Sequence, residues 1–438
     1  MTDTTPSRVL LVRPRYHCVA ERMALLPTEP LELEYLARAV RDFGGLYKIW
    51  DGGFDQDLGA ACKDFKPTHV ALTGYYAARN QMLDYAKIIK GYCPHVIVIA
   101  GGVHAELNPA DFCQENIDLI VSSGGYFTFL NILSSGDRPY DSLKGIWYRR
   151  TNGDWHENAR APFPVDELPD PDRSYFLAHK DRFHYLHLGT VALVKTGFGC
   201  PFDCSFCYCR LLNDGNYTAR PVHRVVQEIA AIDCELIWLV DDTFLLDEER
   251  IKEFAFTIHQ QGIKKNFIIY GRASFICDHK DLLPKLKEMG VIEVIVGLEA
   301  IEEEMLHSYN KHVTAWQNSR CIKLLHEHDI NCTGLFIMTQ QATAADFRNL
   351  DRWIGRHKLS SYTISVYTPF PGTKEFERYA KQLLSDDPVK WNLFSLVLAP
   401  EQLSRFGFMI RLYWLQAKIL FRNQRLAAYL VKRLLVWS

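Results

Sequence analysis

Short apolar runs that stop abruptly at glycine, proline or polar residues recur along this chain, and they limit its fold more than any other feature. Five lie in residues 1–133: RVLLVRP from Arg8, YKIWDGG from Tyr47, HVALTGY from His69, VIVIAGG from Val96 and IDLIVSSGG from Ile117. Near-continuous apolar runs, without strict alternation, suit strands buried on both faces, as in parallel sheets covered by helices. Between them LELEYLARAVRDFG and RNQMLDYAKIIKGY carry helical spacing, and Gly44 closes the first as a C-cap would. Five βα units predict an open, doubly wound, Rossmann-like α/β domain over 1–133, binding its ligand at the carboxyl ends of the strands.

Residues 134–187 are rich in Pro, Asp and Gly and read as a linker with one hairpin around Thr151–Asp154. A second alternating series follows: TVALVKTGFG from Thr190, LIWLVDDTF from Leu236, NFIIYGRASF from Asn266, VIEVIVGLEA from Val291, INCTGLFIM from Ile330 and SYTISVYTPFPG from Ser361. DLLPKLKEMG and NSRCIKLLHEHD supply helices between them. Six βα units over 188–385 predict a partial, open (βα)6 barrel with its chemistry on the C-terminal rim, leaving a helical region at 386–438. At 438 residues, 48% hydrophobic and 23% charged, the chain has ample material for more than one core.

GCPFDCSFCYC, Gly199 to Cys209, places four of the twelve cysteines in ten positions just after the first barrel strand. No basic and apolar leader opens the chain, so the cytoplasm is the expected compartment, where clustered thiols mean metal or catalysis. Cys200, Cys204 and Cys207 form C-x3-C-x2-C. A loop with that spacing converges three thiolates, enough for three irons of a [4Fe–4S] cluster with the fourth left open for reaction. A structural zinc site with Cys209 as fourth ligand is the alternative, although zinc knuckles favour two separated pairs.

With Phe206 in the aromatic slot, this loop resembles the C-x3-C-x-aromatic-C signature of the radical S-adenosylmethionine (SAM) superfamily. The resemblance implies that the three cysteines bind the cluster and that SAM chelates the open iron. Its reductive cleavage gives a 5′-deoxyadenosyl radical that abstracts hydrogen, and Cys209 is not a ligand. Asp241 and Asp242, ending the second barrel strand, occupy the place where that family has polar residues facing SAM; helix N-capping is the structural alternative. Arg272 has the planar guanidinium that suits the SAM carboxylate, with a surface salt bridge as the alternative. Glu299, in VGLEA, resembles the segment that approaches the SAM ribose. TPFPGT, Thr368 to Thr373, resembles the closing barrel turn and reads as structural.

A doubly wound domain before such a barrel resembles the cobalamin-binding subfamily, which includes the anaerobic magnesium-protoporphyrin cyclase and the hopanoid and antibiotic C-methyltransferases. GGVHAELNP matches its G-G-x-H segment, which makes Gly101, Gly102 and His104 candidate cobalamin contacts. Tyr75, at the end of the third strand, is a further candidate cobalamin contact, with packing against a helix as the alternative, and so are Ser123 and Gly124 in SSGGYFT, where relatives carry G-E-G-E. The D-x-H-x-x-G motif that supplies a lower cobalt ligand is absent. GLFIMTQQAT also lacks the second glycine and the acid of its counterpart.

The resemblance implies a cobalamin-dependent enzyme that methylates an unactivated carbon of a small-molecule or lipid-like intermediate, using an external electron donor. A non-methylating cyclase, dehydratase or rearrangement enzyme and a non-catalytic metal-binding module are the alternatives. A net charge of −2 gives no reason to expect nucleic acid. The last segment, from Arg405, carries seven basic residues (Arg405, Arg411, Lys418, Arg422, Arg425, Lys432 and Arg433) and no acidic one. It reads as helices packed on the barrel, or as a basic amphipathic contact with the inner membrane face or a partner protein. No apolar run reaches the ~18 residues of a spanning helix.

Overall fold

The computed structural model describes residues 7–15, 26–136 and 139–437, the side chains of 433–437 excepted, so the Arg433 side chain lies outside the described residues. The chain divides into two compact units.

The first unit comprises residues 1–179 with the short segments 211–213 and 387–392. Strand β1 (Arg8–Arg13) buries Val9 to Val12 completely. Helix α1 (Leu31–Phe43) turns Leu33, Ala37 and Val40 inward and ends at Gly44, whose φ of 83° is the left-handed C-cap the sequence implies. There follow β2 (Leu46–Asp51), α2 (Leu58–Phe65), β3 (His69–Thr73), α3 (Arg79–Tyr92), β4 (Ile97–Gly101), the short α4 (Val103–Leu107), β5 (Leu119–Val121) and α5 (Gly125–Ser135). The strands run parallel in the order β2-β1-β3-β4-β5, the switch beside β1 being that of a doubly wound sheet.

Part of the stretch read as a linker belongs to this sheet. β6 (Ile146–Arg149) pairs antiparallel with β5, and β7 (Trp155–Glu157) pairs antiparallel with β6 across the turn expected near Thr151. Further on, Asp172 accepts from Arg41 Nη1 (3.0 Å), Tyr47 Oη (2.7 Å) and Ser174 Oγ (2.5 Å). Arg173 lies between the buried Glu29 and Glu34. Helix α6 (Ser174–His179) closes the unit.

The second unit opens its sheet with β8 (Val191–Val194), buried throughout. The small antiparallel pair β9 (Gly197–Phe198) and β10 (Thr218–Ala219) frames the cysteine loop. Then come α7 (Val222–Ala231), β11 (Leu236–Leu239), α8 (Glu248–Gln260), β12 (Asn266–Gly271), α9 (Ala273–Asp278), α10 (Leu283–Met289) and β13 (Val291–Glu299). The series ends with α11 (Glu303–Ser308), α12 (Ala315–Glu327), β14 (Asn331–Met338), α13 (Ala344–Arg356), β15 (Ser361–Val366) and α14 (Lys374–Tyr379). The six strands are parallel in the order β8-β11-β12-β13-β14-β15, each βα unit adding beside the last, and the two outer strands do not meet. This is the expected half barrel.

Tyr185, Ile268 and Ile295 pack with Trp238 and Tyr270 inside the curve. At the strand beginnings Glu293 accepts from Tyr185 (2.5 Å), Asn331 (2.8 Å) and Thr333 (2.8 Å), a satisfied buried carboxylate that fills the N-terminal end. The opposite end is left for chemistry. Helices α15 (Arg405–Ala417), α16 (Ile419–Arg422) and α17 (Gln424–Trp437) complete the unit. Asp351 of α13 pairs with Lys418 and Arg422, each at 2.5 Å. Gln416 Oε1 accepts from Ile364 N (2.9 Å), and its Nε2 donates to Tyr362 O (3.1 Å) on the outer edge of β15.

Candidate cofactor sites

The root of the cysteine loop is a clamp between neighbouring strand ends. Thr196, two residues past β8, donates through its amide (2.6 Å) and hydroxyl (2.5 Å) to Asp241, two residues past β11. Burial pushes the Asp241 carboxyl up, opposed by Lys195 and the Thr196 bonds. Asp241 is thereby placed inside the fold, holding the loop's base. Its neighbour Asp242 is half-buried and accepts from Lys195 Nζ at 3.3 Å, leaving carboxylate surface at the rim.

The loop is gripped along its length by the turn at 308–312. Tyr309 O accepts from Ser205 N (2.9 Å), Asn310 Nδ2 donates to Asp203 O (3.3 Å), and His312 Nε2 stands 3.3 Å from Asp203 Oδ1. Phe206 meets the Tyr309 ring edge-on with centroids 5.2 Å apart. Asn310 and His312 take left-handed φ values of 50° and 52°, which folds the turn tightly enough for successive residues to reach the loop.

Every cysteine among the described residues is free. Burial pushes the Cys200 thiol up to about 11. Cys207 is drawn down because the Cys209 thiol donates to its sulfur, and Cys209 is pushed well up by the same contact. The contact shifts the two thiols in opposite directions, favouring the charged form at Cys207 over Cys209.

Arg272, just after β12, is 7% exposed. Its Nη1 donates to Cys204 Sγ (3.6 Å), its Nη2 donates to Lys311 O, and its plane lies 3.7 Å from the centroid of the Phe202 ring. No carboxylate among the described residues pairs with it, and its buried Nε has no partner. A buried guanidinium facing only neutral groups is costly by several kcal/mol, so the site calls for negative charge beside Cys204.

Glu299, at the end of β13, has φ 61°, in the left-handed region few side chains adopt. That turn brings its Oε1 within 2.6 Å of Lys311 Nζ. Gly297 leaves the room: a Cβ there would stand 2.3 Å from Glu299 Oε1 and 2.8 Å from Lys311 Nζ. Lys311 escaped the sequence reading because nothing in linear spacing marks a lysine twelve residues beyond its partner.

In the first unit, Gly101 ends β4 with open space at its Cα, the nearest side-chain atom to an added Cβ being 3.9 Å away. Gly102 has φ 94°, and a Cβ there would lie 2.7 Å from Thr73 Oγ1 and 2.8 Å from Gly74. Tyr75, past β3, is 54% exposed. His104 points inward instead. It is fully buried, with Nε2 2.7 Å from Asp111 Oδ2, and its ring packs edge-on to Tyr76 (4.7 Å) and Phe112 (5.5 Å). Ser123 and Gly124 lie against their own unit: Ala161 N donates to Ser123 Oγ (2.8 Å), and a Cβ at Gly124 would meet Thr128 Oγ1 at 2.3 Å.

Residues 194–354 match the profile of the radical SAM superfamily, and residues 22–128 match that of the B12 binding domain. The chain carries both domains of the cobalamin-binding radical SAM enzymes. It is 28% identical over 386 residues to a protein described as an uncharacterized methyltransferase of Pyrococcus horikoshii, covering 84% of this chain and 82% of that one. The hopanoid C-3 methylase of Methylococcus capsulatus is 24% identical over 373 residues, 83% of this chain and 71% of the relative. In fold, the chain resembles a radical SAM methyltransferase of Kitasatospora setae solved with tryptophan and a SAM analogue. There the TM-score is 0.72 at 17% identity, over 93% of this chain and 88% of that one.

The two domains bring three cofactors, a [4Fe–4S] cluster, SAM and cobalamin. The residues present fit the cluster: three free thiols on one loop, one with a donor thiol at its sulfur, another with a buried cation lacking a counter-charge. Among the described residues no three His, Cys, Asp or Glu side chains gather around one point as a single metal ion needs. No helix among the described residues is long and apolar enough to cross a membrane.

Proposed function

We propose that this protein methylates an unactivated carbon of a small-molecule or lipid-like intermediate as a cobalamin-dependent radical SAM enzyme. One observation carries the reading: a gripped three-cysteine loop on the first strand of a half barrel shares a chain with a B12-matching doubly wound domain. When bound, the cluster and SAM supply hydrogen abstraction and cobalamin supplies a carrier for the methyl group.

The chain's own residues do the rest. Cys200, Cys204 and Cys207 hold the cluster, and Cys209 stands beside Cys207 without ligating it. Lys311 holds Glu299 at the rim, where the carboxylate is free to accept from a ribose hydroxyl through its second oxygen, and Asp242 offers a second acceptor. The rings of Phe206, Tyr309 and Tyr367 line up behind the loop and keep water from that side. Gly101, Gly102 and Tyr75 are the first unit's approach to cobalamin, with His104 behind them. The relatives named for hopanoid methylation and solved with tryptophan support a small-molecule or lipid-like substrate. The reading includes a cytoplasmic setting, an external electron donor and a peripheral contact through the C-terminal helices.

Anaerobic reconstitution with iron, sulfide and hydroxocobalamin tests it. About four irons and one cobalt per chain, with S-adenosylhomocysteine formed during turnover, is the expected result. Iron with 5′-deoxyadenosine but neither cobalt nor S-adenosylhomocysteine would move the protein to the non-methylating enzymes.

A further inference from the structure

Helix α15 is apolar on two opposite faces. Phe408, Leu412 and Leu415 are buried, Phe408 meeting Phe347 of α13 edge-on at 5.3 Å. Phe406, Ile410, Tyr413 and Trp414, spaced i, i+4, i+7 and i+8, form the other face and are 77%, 51%, 50% and 59% exposed. A surface helix needs one apolar stripe to join a core; a second, outward stripe of large side chains is an interaction face.

Charge identifies what that face meets. No Asp or Glu occurs after Glu401. Lys418 and Arg422 are engaged with Asp351, whereas Arg405, Arg411, Arg425 and Lys432 are exposed and pair with no carboxylate among the described residues. Phenylalanine and isoleucine for the acyl boundary, tyrosine and tryptophan for the headgroup level, and the unpaired Arg405 and Arg411 on the same helix make the composition of a helix that lies in an anionic interface. We infer that the outer face of α15 docks on an anionic phospholipid surface, seating the half barrel beside the bilayer without spanning it. This names the occupant of the peripheral contact included above, and it does not depend on the chemistry.

The test is co-sedimentation of the intact chain with vesicles of phosphatidylcholine, alone or with about one-third phosphatidylglycerol. Anionic vesicles should bind at least about tenfold more protein than neutral ones, and binding should fall as salt rises. The Phe406→Ser/Trp414→Ser variant, altered only at exposed side chains, should drop to the neutral level with its circular dichroism unchanged. Equal binding to both vesicle types, or undiminished binding by the variant, overturns the inference. A wild-type chain that ignores vesicles and forms a dimer split by the same substitutions overturns it too, assigning the face to a second copy. SAM turnover without vesicles reads the catalytic proposal separately and should be unchanged in the variant, so either reading can fail alone.

Discussion

The guanidinium of Arg272 donates to the sulfur of Cys204 across 3.6 Å, from a position 93% removed from solvent. A hydrogen bond to a ligating sulfur favours the reduced, more negative cluster. Arg272→Gln is expected to keep its iron and lower the midpoint potential by on the order of 60 mV, the one-electron equivalent of about 1.4 kcal/mol. A redox titration followed by electron paramagnetic resonance checks this. SAM affinity should hold within about twofold; a large loss of it at an unchanged potential would instead assign Arg272 to the SAM carboxylate.

Gly297 is the space in which Glu299 and Lys311 meet. In Gly297→Ala the new methyl collides with the tips of two flexible side chains, so the fold yields cheaply and the ion pair takes the damage. The expected result is a melting temperature within a few degrees of wild type and SAM binding weakened about tenfold, as for loss of one charged hydrogen bond. Isothermal titration of SAM into the reconstituted protein measures it, with Glu299→Gln as the companion. Unchanged affinity in both would remove Glu299 from the SAM site.

His104 is packed like a core residue. Replacing it by alanine should destabilise the first unit by about 2–4 kcal/mol through lost ring contacts. The cobalamin that does bind should keep its wild-type visible spectrum, and the cob(II)alamin resonance should show no nitrogen splitting from protein in either form. Appearance of such splitting in wild type alone would make His104 a cobalt ligand.

Asp172 makes the first unit sensitive to acid. Burial alone would raise its carboxyl, but hydrogen bonds from Ser174, Tyr47 and Arg41 outweigh burial and hold it at about 2. A carboxyl lowered by folding contributes its full stability above the unfolded value near 4, and loses it as pH falls towards 2. Denaturant titrations at several pH values should show an acid loss of order 1 kcal/mol in wild type that Asp172→Asn lacks.

What the sequence made legible was what repeats or clusters locally. All eleven apolar runs are strands, because a buried strand carries its signal in consecutive residues; β2, at the sheet edge, is buried only over Ile49–Asp51. The cysteine loop could be read for the same reason. Partnerships across the fold could not: Asp241 is committed to Thr196 45 residues away, and Arg272 reaches a thiol 68 residues away. Residues 146–149 form a strand too short to stand out in a Pro-rich, Asp-rich stretch, and polar contacts at Asp172 and Arg173 fix that stretch where apolar periodicity is missing. His104 shows the converse, a motif residue turned into the core by a single turn of helix.

A half barrel has a live edge. The outer side of β15 offers amides and carbonyls that no further strand among the described residues takes up; Leu393 O accepts from Val366 N, and the side chain of Gln416 occupies two more as one residue of a strand would. Bared strand edges recruit the edges of other chains. A chain cut before Arg405 should therefore polymerise through β15 and precipitate, whatever membranes are present. The terminal helices insulate the sheet from its own copies, and only point changes on their outer face can ask what else they touch.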